Sequence, residues 1–383
     1  MKVAIAHHSL NIPGGAERLC MTLVEALQRR GHDVMLVTVE KTDWSIVQRN
    51  FGKIVMPWGE RYALKMRVSD DLSRMPVTSV YFALYVLQLL VSKWREDCDL
   101  VVNTFGDVVH SIADVAYVHF PLRAALKFSQ IPAFTRQSLW RAAAPLYDST
   151  MAFLDQCFPG TLITNSQFTE GVIEEVLSRK ALVVYPPVDV RVFSKRVRRR
   201  KTGSLVATVS SYTPKRHLDQ VPLIAKHSRS ARFIVMGKAD EYSAAVLSQL
   251  RSRIRALHVE DRVTLLMNVP SNEFMDVLSR AKVYLHVMPY DHFGISVVEA
   301  MASGCVPVVH RSGGPWLDIL DSRQGEYGFS YTSASEAADF IDKLIGDESL
   351  RRTMASRAFR RAKEFDRPVF MERMVEVVER LAS

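Results

Sequence analysis

The chain has 383 residues, 48% hydrophobic and 24% charged, enough to bury large cores and, at about 150 residues per domain, to form two or three domains. Lys and Arg number 50 against 41 Asp and Glu, a net charge of +9; the basic residues are not interleaved with stacking aromatics and no nucleic-acid motif appears, which sets nucleic acid aside as a partner. Cys20, Cys98, Cys157 and Cys305 are scattered, with no Cys-x-x-Cys and no His-rich neighbour, which excludes a disulfide framework and reads as reduced, mostly buried thiols in a cytosolic setting.

The opening Lys2 to Ala6 reads as a first strand, too short for a signal-peptide core. A loop from His7 to Gly15 leads to a helix from Ala16 to about Arg30, a turn at Gly31-His32-Asp33, and a strand over 34–39. This is a strand–helix–strand unit with Gly14-Gly15 at its turn, a weak signal alone because any tight turn uses glycine. Met75 to Ser92 is the longest uncharged stretch but contains Pro76, Thr78, Ser79 and Gln88. A membrane span needs about 20 mostly apolar residues, so a helix buried against the sheet is the first reading and shallow membrane contact the second. A strand over 99–103 is followed by Val115 to Pro121, where His119 ends a strand; a lone histidine there is usually structural. Leu122 to Leu146 mixes Arg123, Lys127, Arg136 and Arg141 with apolar residues, as an acceptor-side or membrane-facing surface or as an ordinary solvated helix pair. A strand over 161–165 ends in Asn165-Ser166, which caps a helix over 167–178. Ala181 to Asp189, stiffened by Pro186-Pro187, leads out of the domain near residue 190. The run Lys195 to Lys201 is either a solvated linker or a site of attraction to anionic lipid, where each basic residue contributes about 1 kcal/mol.

The second half alternates strands and helices as a Rossmann-like domain. Strands over 204–209, 232–236 and 263–267 run into the loop Ser210 to His217, the turn Gly237-Lys238 and the pair Asn268-Val269, with helices over 241–256 and 271–280 between them. Val283 to Met288 reads as a buried strand, followed by a loop with Asp291, His292 and Gly294, a helix from Ser296 to Ser303 stopped by Gly304, and a strand over 306–309 opening into Ser312-Gly313-Gly314-Pro315. Loops at the carboxyl ends of parallel strands are where open α/β sheets bind ligands. The amides from Gly294 to Val297 open a helix and can face an anion. Glu299 either accepts paired hydroxyls such as a ribose presents, or closes a capping box with Ser296. From Glu348 the chain is helical, broken near Phe365-Asp366-Arg367-Pro368.

Asp291 to Pro315 resembles the acidic-x7-acidic signature of the retaining glycosyltransferases of family 4, which have the GT-B fold. His292-Phe293-Gly294-Ile295, Val298-Glu299, Ala302-Ser303-Gly304 and Ser312-Gly313-Gly314-Pro315 look closest to the branch of α-1,2-mannosyltransferases acting on lipid-linked oligosaccharides. The resemblance implies two Rossmann-like domains facing across a cleft: an acceptor-binding domain over 1–190, a nucleotide-sugar-binding domain over 191–365, and a final helix over 366–383 crossing back to the first. It implies that His119 and Asp291 act at the donor sugar, and that Gly15, Lys215, Arg216, Gly237, Asn268, Val269, His292, Phe293, Gly294, Ile295, Ser296 and Glu299 bind the donor. Two departures stand out: the first acid is usually glutamate and here is Asp291, and Ser211 stands where an arginine for the diphosphate is common, with Arg216 in place of the lysine.

No Asp-x-Asp pair or ligand-spaced histidine set appears, so neither metal nor cofactor is expected, and donor charge falls to Lys215, Arg216 and a helix N-terminus. The function implied is transfer of a sugar, mannose from GDP-mannose, to a lipid-linked or other membrane glycan by a peripheral protein on the cytoplasmic face of an anionic membrane. The alternatives are a UDP-sugar-dependent family 4 transferase and a non-catalytic nucleotide-sugar-binding subunit.

Overall fold

The computed structural model describes residues 1–12, 14–66, 86–87, 89–106, 113–121, 124, 160–197, 201 and 203–382. Most of Leu122 to Leu146, the first part of Met75 to Ser92, Arg198 to Arg200 and Cys157 therefore lie outside the described residues. The chain divides into two compact domains, Met1–Pro187 with Arg367–Ser383, and Val188–Asp366.

The first domain is built on a parallel sheet of β1 (Lys2–Ala6), β2 (Asp33–Glu40), β3 (Gly59–Leu64), β4 (Leu100–Asn103), β5 (Val115–Val118), β6 (Thr161–Thr164) and β7 (Leu182–Val183), in the order β3-β2-β1-β4-β5-β6-β7. The winding reverses between β1 and β4, which makes their carboxyl ends the switch point. Helix Gly15–Arg29 buries Leu19, Cys20, Leu23, Val24 and Leu27 on one face, in one core with Val3, Ile5 and Leu36. The last helix, Arg367–Ala382, adds Phe370, Met374, Val375 and Val378 to that core. Polar contacts fix its register: His32 Nε2 lies 3.2 Å from Glu379 Oε1, and Arg367 pairs with Glu25. On the other face of the sheet Leu87 and Val91 are buried beside Val39 and Val101, so this end of Met75–Ser92 packs on the sheet. No helix of the described residues is long and apolar enough to cross a membrane. Cys20, Cys98 and Cys305 are free, and burial pushes the Cys20 thiol up to about 12.

The second domain has the parallel order β10-β9-β8-β11-β12-β13, from β8 (Leu205–Val209), β9 (Arg232–Gly237), β10 (Val263–Met267), β11 (Val283–His286), β12 (Val306–His310) and β13 (Phe329–Tyr331). Its switch point lies between β8 and β11. β11 is buried throughout, as a central parallel strand must be. It ends at His286, where pairing with β12 ends at Val309, two residues before the end expected from the apolar run. Where the chain enters and leaves this domain its two segments run together: Val188 N–H donates to Phe365 O at 3.1 Å and Val190 N–H to Asp366 Oδ1 at 3.1 Å. Lys201 departs from the reading of the basic run as solvated or lipid-facing. It is 7% exposed, and its Nζ donates to Ser303 O at 2.5 Å, at the end of helix Ile295–Ala302. A cation satisfies the unpaired carbonyls there.

At Gly237 a Cβ would sit 1.8 Å from Ser210 O, while one at Gly346 would meet nothing within 4 Å. Gly237→Ala is therefore expected to lower the stability of the second domain by roughly 2–4 kcal/mol. Gly346→Ala should leave it unchanged or raise it by up to about 1 kcal/mol. Urea unfolding followed by circular dichroism measures both, and equal midpoints would contradict the close approach.

Candidate functional site

In the second domain the loop after β11 and the loop after β12 lie in backbone contact. Gly314 N–H donates to Asp291 O at 2.8 Å. A Cβ on Gly313 would fall 2.4 Å from Asp291 O and one on Gly314 2.5 Å from His292 O, so only glycine fits at either position. Ser312 Oγ accepts from Tyr290 N–H at 2.9 Å and lies 2.7 Å from His310 Nδ1. The result is a fixed position for Asp291. His286 Nε2 lies 3.0 Å from its Oδ2. Burial alone would raise this carboxyl, but the His286 ring against it, then the charges of Arg216 and His292, hold it well below the usual carboxylate range.

Lys215 and Arg216 come from the short helical turn Pro214–Arg216 after β8, across the switch point from Asp291. Burial pushes Lys215 down, Arg216 adds to this and Asp291 opposes it. Arg216 Nη1 contacts Met288 Sδ at 3.0 Å, and its Nε is buried with no hydrogen-bond partner. A half-buried guanidinium resting on a thioether is under-satisfied, since a charged donor pairs best with an anion.

Helix Ile295–Ala302 starts from Gly294, at φ +95°, with no side-chain cap. Ser296 lies inside the first turn, and its hydroxyl accepts from Tyr284 OH at 2.7 Å. That removes the capping-box reading of Ser296 and Glu299. Glu299 itself is 7% exposed. Phe293 packs edge-on against Phe365, with ring centroids 5.4 Å apart, so what it offers the loop is main chain. Half-buried Ile295 stands at the helix start. Gly237 ends β9 beside Ser210. The side chain of Asn268 bonds both the N–H and the C=O of Ala239, at 2.9 Å each, and its own N–H donates to Gly237 O. Asn268 thus ties two strand ends together, and Val269 follows it at the carboxyl edge.

The first domain holds Gly15 and His119. Gly15 opens helix Gly15–Arg29 behind an extended Gly14. His119 follows β5, and its Nε2 donates to Thr104 O at 3.1 Å, leaving Nδ1 as the acceptor. Burial, partly offset by that bond, brings His119 down to about 4. Around it the fold gathers residues that spacing did not announce: His7 and His8 after β1, and Glu17 in the first helical turn. His286 was equally hidden. A histidine closing an apolar run gives no sign that a loop residue five positions on will meet it.

Two family models match in succession. One described as Glycosyltransferase Family 4 matches residues 13–192, and one described as Glycosyl transferases group 1 matches residues 189–361. A Mus musculus protein named GDP-Man:Man(3)GlcNAc(2)-PP-Dol alpha-1,2-mannosyltransferase is 31% identical, over 90% of this chain and 79% of its own length. The Homo sapiens protein of that name is 31% identical, over 94% and 82%. The crystal structure of Anabaena HepE in complex with UDP and glucose matches with a TM-score of 0.73 at 19% identity, covering 99% of both chains, a likeness in fold, which is GT-B. The chain belongs to glycosyltransferase family 4, in the branch of these α-1,2-mannosyltransferases.

Proposed function

We propose that the chain transfers mannose from GDP-mannose to a lipid-linked oligosaccharide, as the names of its relatives state for them, and that the transfer proceeds with retention. The observation that carries this reading is that Lys215 and Arg216 face half-buried Asp291 closely enough for their charges to act on one another at the second switch point, with Arg216 Nε left without a hydrogen-bond partner. Two cations and a helix N-terminus opening at Gly294 suit a diphosphate. In this reading Lys215 and Arg216 take up the charge of the leaving nucleoside diphosphate with no divalent metal at that site. Glu299 accepts the ribose hydroxyls. Gly237, Asn268 and Val269 border the nucleotide with main chain, as do His292, Phe293, Gly294, Ile295 and Ser296. Asp291, ionised and held by His286, orients hydroxyls of the donor sugar. Gly15 and neutral His119 serve from the first domain, His119 beside the anomeric carbon. The protein works as a peripheral enzyme at the cytoplasmic face of a membrane, its charge of +9 favouring anionic headgroups.

The test is a panel of radiolabelled GDP- and UDP-sugars incubated with the protein and native membranes, followed by lipid extraction. Label from GDP-mannose should enter the lipid fraction at a rate indifferent to added Mg²⁺; label from a UDP-sugar alone would replace the donor assignment. Glu299→Ala should weaken GDP binding about 10- to 100-fold, the worth of hydrogen bonds to a charged group. Asp291→Ala should lower kcat far more than it changes GDP affinity. Full activity in both variants would remove the site assignment.

A pH dependence follows from His119 and Asp291, both half-buried. His119, lowered to about 4, is already neutral above about pH 5, and Asp291 is ionised there. Neither changes charge between about pH 5.5 and 8, so kcat should carry no inflection near 6.5 that His119→Asn abolishes. On stability the sign is the same for both: each folded value lies below the unfolded one, so protons bind the unfolded chain first on acidification. Stability should fall from about pH 6.5 for the histidine and from about pH 4 for the aspartate, read as a declining urea midpoint.

A further inference from the structure

At the switch point of the first sheet, His7, His8 and Glu17 bring one ligand atom each to within 4.8 Å of one another. His7 is fully buried and Glu17 is 7% exposed. His7 Nε2 and His8 Nδ1 are both buried without a hydrogen-bond partner. The bonding behind His7 decides where its proton sits. The Thr104 hydroxyl donates to Ala6 O at 3.1 Å, so toward His7 Nδ1, 2.9 Å away, it accepts. Nδ1 therefore carries the hydrogen, and Nε2 turns a lone pair toward Glu17 Oε1 at 3.5 Å. A lone pair facing a carboxylate out of water calls for positive charge between them. A second proton on His7 would satisfy that pair alone and leave His8 Nδ1 orphaned. A cation satisfies all three.

We propose that His7 Nε2, His8 Nδ1 and the Glu17 carboxylate bind one divalent transition-metal ion of the zinc class. Two imidazoles and a carboxylate form a donor set suited to zinc, with a fourth position open to water or a ligand. Thr104 supplies the outer hydrogen bond that fixes the tautomer of a ligating histidine. The bound ion ties the end of β1 to the first turn of helix Gly15–Arg29, closing the loop between them.

The test takes the whole chain, untagged and stripped with a chelator, and titrates it with Zn²⁺ by calorimetry and with Co²⁺ by visible absorption. The expected result is one saturable equivalent at micromolar affinity or tighter, with the d–d bands of a four-coordinate site. Zn²⁺ should raise the wild-type Tm. His8→Ala, at a partly exposed position, should weaken zinc binding at least about tenfold and abolish the Tm gain. Glu17→Gln, close to isosteric, should act the same way. No saturable equivalent in the wild type, or zinc affinity unchanged in both variants, overturns the proposal.

Discussion

Two loops with no room for a side chain between them hold the site of the second domain in shape. Gly313 and Gly314 lie so close to the main chain of Asp291 and His292 that any Cβ would overlap it, and the Gly314 N–H bonded to Asp291 O joins them. Gly294 adds a left-handed turn against Pro315, whose Cγ would lie 2.9 Å from a Cβ there. Because these contacts are backbone on backbone, the loops have little freedom to shift separately. The helix start at Ile295 and the carboxylate of Asp291 inherit that rigidity, which makes a set of dipoles effective without reorganisation.

Electrostatics then exploit the frame. Partly burying Asp291 is costly unless it is compensated, and the compensation comes from two directions: His286 at the end of the strand before it, and Arg216 from beyond the neighbouring strand across the switch point. Lys215 brings a second cation into the same field and is itself held by Asp291 against burial. The carboxylate thus lets two basic residues stand side by side at the end of β8. Arg216, resting on Met288 Sδ with Nε unpartnered, shows that one carboxylate does not use up their capacity.

Much of this was legible in the sequence, for identifiable reasons. Buried parallel strands such as Val283 to His286 and Val306 to His310 are continuous apolar runs, and the loops at their ends carry the Gly and acidic residues that mark a ligand edge. β3 gave no such sign: Gly-Glu-Arg-Tyr-Ala-Leu has no apolar run because it is the sheet's edge, where charge guards against pairing with other chains. The Ser296–Glu299 capping box had the right spacing, but the helix begins one residue earlier, from a glycine at positive φ that spacing cannot reveal. Lys201 looked like one more solvated charge of a basic run; only the fold puts Ser303 O next to it. His286 and the trio of His7, His8 and Glu17 depend on contacts made after a strand ends, where side-chain periodicity no longer applies.

The two domains share a winding, with the first four strands of each in the order third, second, first, fourth, yet they set opposite chemistry at the same topological place. After β8 and β11 the gap receives two cations around one ionised carboxylate. After β1 and β4 it receives two imidazoles and a carboxylate, with a hydroxyl already committed as acceptor to one ring. A parallel sheet supplies only the location, a crevice where backbone groups are not consumed by a crossover. The electron-pair balance of the side chains decides what can lie there. Surplus donors at the second switch point suit an anion, and surplus lone pairs at the first suit a cation. That difference follows from hydrogen-bond accounting around Arg216 Nε and His7 Nε2, two buried nitrogens of opposite sense.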